Sequence, residues 1–322
     1  MSISGNSPLT GHLLTLFTTL VWGMTFVSTK MLLEDFTPAE VLIDRFFLGL
    51  AVLYVLYPRL QRPRSWEDEL CKLGAAFFGV TFYFVLENNA LRLAPAANVS
   101  LIVSTVPFFS GLLDRFIGEH TRLNPSFFWG MACALGGIAL LGWEDLNLGE
   151  GLWGDVLALG AAISWAFYNI FVRRLYLRGY DSLSLTRSIF TYALLLTLPL
   201  LLFTGYEFKG ECLIKPANAL NLIFLGVIAT SLCFFTWNIA VRILGSVKTS
   251  IYLYGQPVVA ALAAVPLLHE HLTLPVVTGI VLTVVGLIIS QGPRLRHERQ
   301  RREGAADPAK SGHTLPGRAG DE

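Results

Sequence analysis

The run ALRLAPAANVSLIVSTVP, residues 90–107, decides the reading, because a second run, AVRILGSVKTSIYLYGQP, residues 240–257, follows its pattern 150 positions later. Ala90 meets Ala240, Arg92 meets Arg242, Ser100 meets Ser250 and Pro107 meets Pro257, while Leu91, Leu93 and Leu101 meet Val241, Ile243 and Ile251. Each run ends in a proline within an apolar stretch. The register continues outward through Trp22 and Trp165, Lys30 and Arg173, Arg45 and Arg187, Glu119 and Glu270, Gly130 and Gly279, and Gly137 and Gly286. Offsets drift only between 142 and 151, as loop insertions would make them. The chain therefore reads as two copies of a unit, residues 11–143 and 151–291, an internal symmetry that outranks any local pattern.

Composition sets the class. With 53% hydrophobic and 15% charged residues, 22 of them Phe among 322 in all, the chain is too apolar for a soluble domain. Runs of about 17–25 apolar residues are the length that crosses a bilayer core as helix. Residues 13–29, 93–113, 125–143, 156–172, 188–206, 216–241, 249–268 and 273–291 carry no Asp, Glu, Lys, Arg or His. Two more spans are interrupted: 39–57 by Glu40, Asp44 and Arg45, and 73–91 by Glu87. The expected fold is all-α and integral to the membrane, with ten transmembrane helices. Five spans per copy deliver the chain to the opposite side, so the second copy is expected to insert upside down, as an inverted five-helix repeat.

Basic residues test this independently through the positive-inside bias. With the N-terminus cytoplasmic, inside segments hold sixteen Lys and Arg, from Arg59 to Arg302, against four outside, Lys30, Arg92, Lys209 and Lys215. Both termini are expected in the cytoplasm, and residues 1–11 show neither a basic n-region nor a signal-peptide cleavage site. Residues 292–322 are charged and rich in Gly and Pro, the composition of a disordered cytoplasmic tail. Its first basic cluster reads as a stop-transfer flank or as a contact for anionic lipid headgroups. Cys71, Cys133, Cys212 and Cys233 show no paired spacing, so neither disulfide nor metal framework is expected. Near-neutral charge gives no sign of nucleic-acid binding.

The order WGMTFVSTKMLL, a proline, RFFLGL, the ALRLAPAANVSLIVSTVP run and a Gly-Glu signal with spaced glycines, begun again at SWAFYNIFVRRL, resembles the EamA family of the drug/metabolite transporter superfamily. The resemblance spans about residues 11–291, in both copies. It implies a ten-helix carrier of small metabolites in the cell (inner) membrane, with its cavity between the repeats. Three departures stand out: His269 where a glycine before Glu270 is usual, two extra residues between Glu119 and Gly130, and the charge of Glu87. The function expected is secondary transport of an amino-acid-like or drug-like metabolite by alternating access, as export, with no cofactor and with protons as a candidate coupling ion. A lipid-linked substrate flippase is the rival within transport. An integral-membrane enzyme is the rival outside it, but the six histidines form no metal-ligand cluster beyond His269-Glu270-His271, whose adjacent positions point to different helix faces, and no G-x-S-x-G or Gly-rich phosphate loop occurs.

Polar groups in a bilayer interior are costly, so they face a cavity, a partner helix or each other. Glu87, Asn88 and Asn89 are consecutive and stand about 100° apart on a helix, so they cannot all face one cavity. Asn88 is the repeat partner of Asn238, and this pair reads either as cavity lining or as interhelical glue. Glu87 reads as a proton site or as an ion-pair partner of Arg92 or Arg45. Trp22 and Trp165, with Tyr168 and Asn169 within a turn of the second, read as a candidate aromatic wall or as interface anchors. Tyr252 and Gln256, one turn apart with Thr249 nearby, form another candidate wall, or a bridge between helices. Pro107 and Pro257 are the candidate hinges, expected to kink continuous helices and to free the carbonyls of Val103 and Leu253. Arg45 and Arg187 read as span-end residues that snorkel to headgroups, or as contacts for an anionic substrate. The seven-residue glycine spacing of 130/137 and 279/286 marks a close-packing face for another helix or for the second protomer of a homodimer.

Overall fold

A computed structural model describes residues 7–56, 58, 63–117, 125–145, 150–204, 209–244, 249 and 252–289. Helices joined by turns account for the architecture, with no strand among the described residues. The 292–322 tail, Glu119 and the side chain of Asn238 lie outside the described residues.

Helix α1, Pro8–Leu32, starts where Ser7 accepts the Thr10 N–H at 3.2 Å and Pro8 occupies the first turn, where its missing donor costs nothing. A reciprocal cap opens α2, Pro38–Leu56: Thr37 N–H donates to Glu40 Oε2 at 2.7 Å and Glu40 N–H to Thr37 Oγ1 at 3.3 Å. Helix α3, Trp66–Leu93, is capped by Ser65, and Glu67, Asp68 and Glu69 in its first turn face the positive end of its dipole. There follow α4 (Ala96–Val103), α5 (Val106–Phe116), α6 (Pro125–Asp145), α7 (Glu150–Leu177), α8 (Ser182–Thr204) and the short α9 (Gly210–Leu213). Helix α10 runs from Pro216–Ile223 through Phe224–Leu232 to Cys233–Leu244; α11 is Gln256–Leu268 and α12 Leu274–Ile289.

Five stretches are long and apolar enough to cross a membrane by length and composition: Pro8–Leu32, Trp66–Leu93, Ala96–Leu113, Gly151–Leu177 and Pro216–Trp237. Shorter apolar helices stand beside them at Pro125–Ile138, Leu253–Leu268 and Leu274–Ile289. The prolines depart from expectation. Neither kinks a continuous helix; each stands in the first turn of a new helical segment. Before Pro107 the chain turns at Ser104–Thr105, and before Pro257 it tightens into the 3₁₀ turn Leu253–Gly255. The hydroxyls of Ser104 and Thr105 donate to the carbonyls of Leu101 and Ile102, each at 2.6 Å, supplying donors where the ladder is interrupted. Proline lacks an N–H, and a first turn is where that lack is harmless.

Two segments widen to π-helix, Phe77–Thr81 in α3 and Phe224–Leu232 in α10. Nothing in the apolar pattern distinguished them. Packing is crosswise: α1 lies on α10 and α11, while α7 lies on α3, α4 and α5; α2 lies on the π segment of α10, and α8 on that of α3. Thr81 Oγ1 donates to Ala193 O at 3.2 Å and Ser231 Oγ to Gly49 O at 2.9 Å, one hydroxyl from each π segment.

Polar clamps close opposite ends of this arrangement. Past α1, Asp35 receives Lys215 Nζ at 2.7 and 2.9 Å and Asn218 Nδ2 at 2.7 Å. These donors hold the Asp35 carboxyl below its usual value, so the clamp is present above the ordinary carboxylate range and is lost as pH falls through the lowered value. Past α7, the signs are exchanged: Arg178 donates to Asp68 and, at 3.0 Å, to Glu67, which raises its own pKa. Asp35 and Arg178 are 143 positions apart, within the drift of the sequence register.

The glycine face finds its partner within the chain. A Cβ on Gly286 would stand 2.4 Å from Gly130 O and 2.7 Å from Ala134 N, and one on Gly137 would stand 2.6 Å from Gly279 O. Helices α6 and α12 therefore meet backbone to backbone, with Thr283 Oγ1 donating to Ala134 O at 3.2 Å.

His269 ends α11 in the left-handed region, at φ 55° and ψ 29°. This explains why a glycine is at home there, since a Cβ in that region costs roughly 1–2 kcal/mol. Offset by glycine's extra unfolded-state entropy, His269→Gly should stabilise by up to about 1 kcal/mol. A rise in the thermal unfolding midpoint in detergent checks this; a fall would show that the imidazole contributes more than the backbone loses.

Candidate functional site

Aromatic rings from both halves of the chain form one continuous line. Trp22 meets Phe234 at 5.6 Å, Phe234 meets Phe190 at 5.3 Å, and Phe190 meets Phe46 at 5.1 Å. Phe46 meets Phe84 at 5.0 Å, Phe84 meets Tyr83 at 4.7 Å, and Tyr83 meets Trp165, which also touches Tyr168. The two tryptophans paired by sequence thus end a single path drawn from α1, α10, α8, α2, α3 and α7. Close approach at its Trp165 end rests on Gly79, where a Cβ would stand 2.1 Å from Tyr168 Cδ2. Trp22 is fixed by its indole N–H, which donates to Ala229 O at 3.0 Å, and Trp237 lies against it, tilted by 40° at 5.3 Å.

Two opposite charges sit on this path. Arg45 of α2 is 6% exposed, with its Cζ 4.5 Å from the Phe84 ring centroid and 5.6 Å from that of Phe46. Its Nε donates to Thr230 Oγ1 at 3.2 Å, and the π segment holds Thr230 in turn, its hydroxyl donating to Leu225 O at 2.7 Å. A π turn re-aims side chains by one position and recurs at functional sites. Glu87 of α3 is 5% exposed, accepts the Tyr83 hydroxyl at 2.9 Å and interacts electrostatically with Arg45. Cations over aromatic faces gain about 0.5–2 kcal/mol, and this replaces part of what Arg45 loses by leaving water. The reading of Arg45 as a span-end residue is thereby corrected: it stands eighth in α2 and inside the bundle. Arg187 is buried too, at 2%, over the Tyr54 ring at 5.1 Å.

The other predicted residues disperse. Asn88 Nδ2 donates to Pro38 O at 3.0 Å, joining α3 to the start of α2, while its Oδ1 is enclosed and has no hydrogen bond among the described residues. Asn89 bonds back to Val85 O at 2.7 Å, so the three consecutive polar groups do face different ways. Asn169 Nδ2 donates to Ser110 Oγ at 3.1 Å, tying α7 to α5. Tyr252 shares a hydrogen bond of 2.7 Å with His12 Nδ1 near the start of α1, away from the ring path. Gln256 is half-buried beside Gly23, and its amide makes no hydrogen bond among the described residues. Sequence reasoning missed Tyr83, Phe84 and Thr230. The i, i+4 spacing of Tyr83 and Glu87 was the available signal.

At the end of the bundle where α1 finishes, Lys30 Nζ meets Glu270 Oε1 at 2.9 Å and Ala94 O at 2.8 Å, and the same Oε1 accepts the Ala96 N–H at 2.9 Å. One carboxylate thereby joins α1, the α3–α4 turn and the segment after α11.

Long apolar helices around a buried charged site mark a functional membrane bundle, and comparison with known proteins gives its class. The profile of the EamA-like transporter family matches residues 9–143 and again 152–291. The chain belongs to the EamA-like transporter family. It is similar to an "Uncharacterized transporter" of Archaeoglobus fulgidus, 25% identical over 284 residues that cover 87% of this chain and 96% of that one. It is also similar to a "Probable amino-acid metabolite efflux pump" of Escherichia coli (strain K12), 28% identical over 292 residues, covering 86% and 93%. A solved crystal structure at 21% identity aligns with TM-score 0.64 over 91% of this chain and all of that one, a likeness of fold. Family and relatives indicate a transporter of a small molecule rather than an enzyme.

Proposed function

We propose that this protein is a secondary carrier that exports a small amphipathic metabolite across the cytoplasmic membrane by alternating access. The moving parts are two inverted five-helix repeats, residues 11–143 and 151–291, which make ten membrane helices, with both termini and the 292–322 tail in the cytoplasm. Two separate family matches near those bounds, the crosswise packing of α1 and α7, and the sign-exchanged clamps support the repeat. The observation that carries the function is the line of rings between Trp22 and Trp165, drawn from both repeats and holding Arg45 and Glu87. The efflux-pump name of a relative supports the direction and an amino-acid-like cargo. Of the residues predicted from sequence, Trp22, Trp165 and Glu87 line the path; Asn88 and Asn169 brace it; Tyr252 and Gln256 line the approach beside α1, with Asn238 of α10 assigned to the path by its register with Asn88.

Protons are the proposed coupling ion and Glu87 their carrier, since Glu87 is a buried carboxylate on the path with a single hydrogen bond. Full-length protein in liposomes, screened with pooled labelled metabolites, should accumulate its cargo under an imposed pH gradient. Glu87→Gln should abolish that accumulation and leave counterflow exchange. No transport of any pooled metabolite would sink the carrier reading; transport by Glu87→Gln with the same pH response would move the proton site elsewhere.

Pro107 and Pro257 are the proposed hinges, because each follows a break in its helix at a matching position. Inverted symmetry makes their effects opposite in sign. Pro107→Ala and Pro257→Ala should shift thiol labelling of single cysteines along the path in opposite directions, one toward the outside and one toward the inside. Unchanged labelling and normal turnover in both would make the prolines packing features only.

A further inference from the structure

Arg45 and Glu87 both lie on the ring path and do not touch. Neither forms an ion pair with the other within 4.0 Å, although each is over nine-tenths buried and the two interact electrostatically. Arg45 spends only Nε, on Thr230; its two terminal nitrogens have no acceptor among the described residues. Glu87 spends only Oε1, on Tyr83; its Oε2 has no donor among them. These free ends are not among the fully enclosed polar atoms, so they keep a little accessible surface. A buried charge with most of its hydrogen bonds unmade is unfavourable, and a guanidinium fork so placed matches one partner best, a planar carboxylate. Phe46 and Phe84, which lie against the guanidinium and are 3% and 8% exposed, would part to admit the apolar body that such a carboxylate carries.

We infer that Arg45 is the specificity-determining residue, docking the carboxylate of an apolar or aromatic organic acid, and that Glu87 is the internal carboxylate which competes for the same guanidinium. This rests on the carrier reading and deepens it. A docked carboxylate adds a second negative charge beside Glu87, and like charges in apolar surroundings repel, so the docked state requires Glu87 to hold a proton. One proton taken up by Glu87 then accompanies each carboxylate bound, so an acid accumulated inside leaves down its own gradient together with that proton. The other titratable groups facing the pair are Tyr83 of α3, which donates to Glu87, and Cys233 of α10, beside Arg45; from α7 come the uncharged rings of Trp165 and Tyr168.

The test uses full-length protein in nanodiscs, read by the fluorescence of tryptophans on the path. Probes are 3-phenylpropionate, indole-3-propionate and 4-methylpentanoate, each against its own carboxamide. At least one carboxylate should bind about tenfold or more tightly than its amide, as expected for a charge-assisted pair. Glu87→Gln should tighten the carboxylate further by about tenfold, its competitor being gone. Arg45→Lys should keep a weaker preference, having the charge without the fork. Arg45→Gln strands Glu87 and could fail to fold, so Arg45→Gln/Glu87→Gln is the deciding variant: it removes both charges and should bind carboxylate and amide alike. The proposal is overturned if no carboxylate is preferred over its amide by the native protein, or if the double variant retains the preference. Transport of amides or cations in liposomes alongside either result would leave the carrier reading intact, whereas absence of all transport fails that reading instead.

Discussion

Gly286→Leu should leave almost no folded protein, and Gly286→Ala alone should destabilise by about 1–3 kcal/mol, the usual cost of overpacking. The reason is that the nearest atoms to a new Cβ there are backbone, Gly130 O at 2.4 Å and Ala134 N at 2.7 Å. Backbone cannot rotate away as a side chain can, so α6 and α12 must separate, and the hydrogen bond from Thr283 to Ala134 goes with them. Gly136 is the control. A Cβ there meets nothing within 4 Å, so Gly136→Ala should gain about 1 kcal/mol of helix propensity. Thermal midpoints from fluorescence-detected size exclusion would separate the two cases. Equal stability of Gly286→Leu and Gly136→Ala would mean that the helices do not cross on this face.

Lys30→Glu should cut transport at least tenfold, and Lys30→Glu/Glu270→Lys should recover much of it. Side chains of this pair are 27% and 14% exposed, so water screens it only in part. Charge-assisted hydrogen bonds contribute about 1.5–3 kcal/mol, and 1.4 kcal/mol is already tenfold in an equilibrium. Since Glu270 Oε1 also accepts from Ala96, the substitution loosens three segments at once at the mouth that the proposed topology places outside. A structural contact would lower the amount of folded protein; a gate would instead raise thiol labelling of path cysteines from the outside. If the single variant transports normally, the mouth is held shut by packing and the ion pair is incidental.

The all-helical architecture was largely legible because its spans are long, apolar and nearly free of charge. Matching Trp22 to Trp165 and Pro107 to Pro257 needed only the register, and those residues do occupy corresponding ends of the ring path and corresponding helix breaks. Arg45 was not legible as a buried residue. Its neighbours Glu40 and Asp44 make the start of α2 look like a polar span end, and the hydroxyl that receives it belongs to Thr230, 185 positions away. The π segments escaped for another reason: an inserted residue changes the helical phase without changing how apolar the run is, and FFGVT and FLGVIATSL read as ordinary helix. Asn88 shows the limit of symmetry as a guide, for its register with Asn238 pointed to the axis while its amide is spent on Pro38. His269 looked like a mere departure until its φ showed what the usual glycine is for.

The exchanged signs of the two end clamps bear on which halves of the chain can pair. Two copies of residues 11–143 would set Asp35 against Glu67 and Asp68, acid against acid; two copies of 151–291 would set Arg178 against Lys215, base against base. Each half therefore repels its twin and attracts its sibling. An Asp at 35 and an Arg at 178 thus fasten one half of the chain to the other and disfavour pairing of either half with a copy of itself.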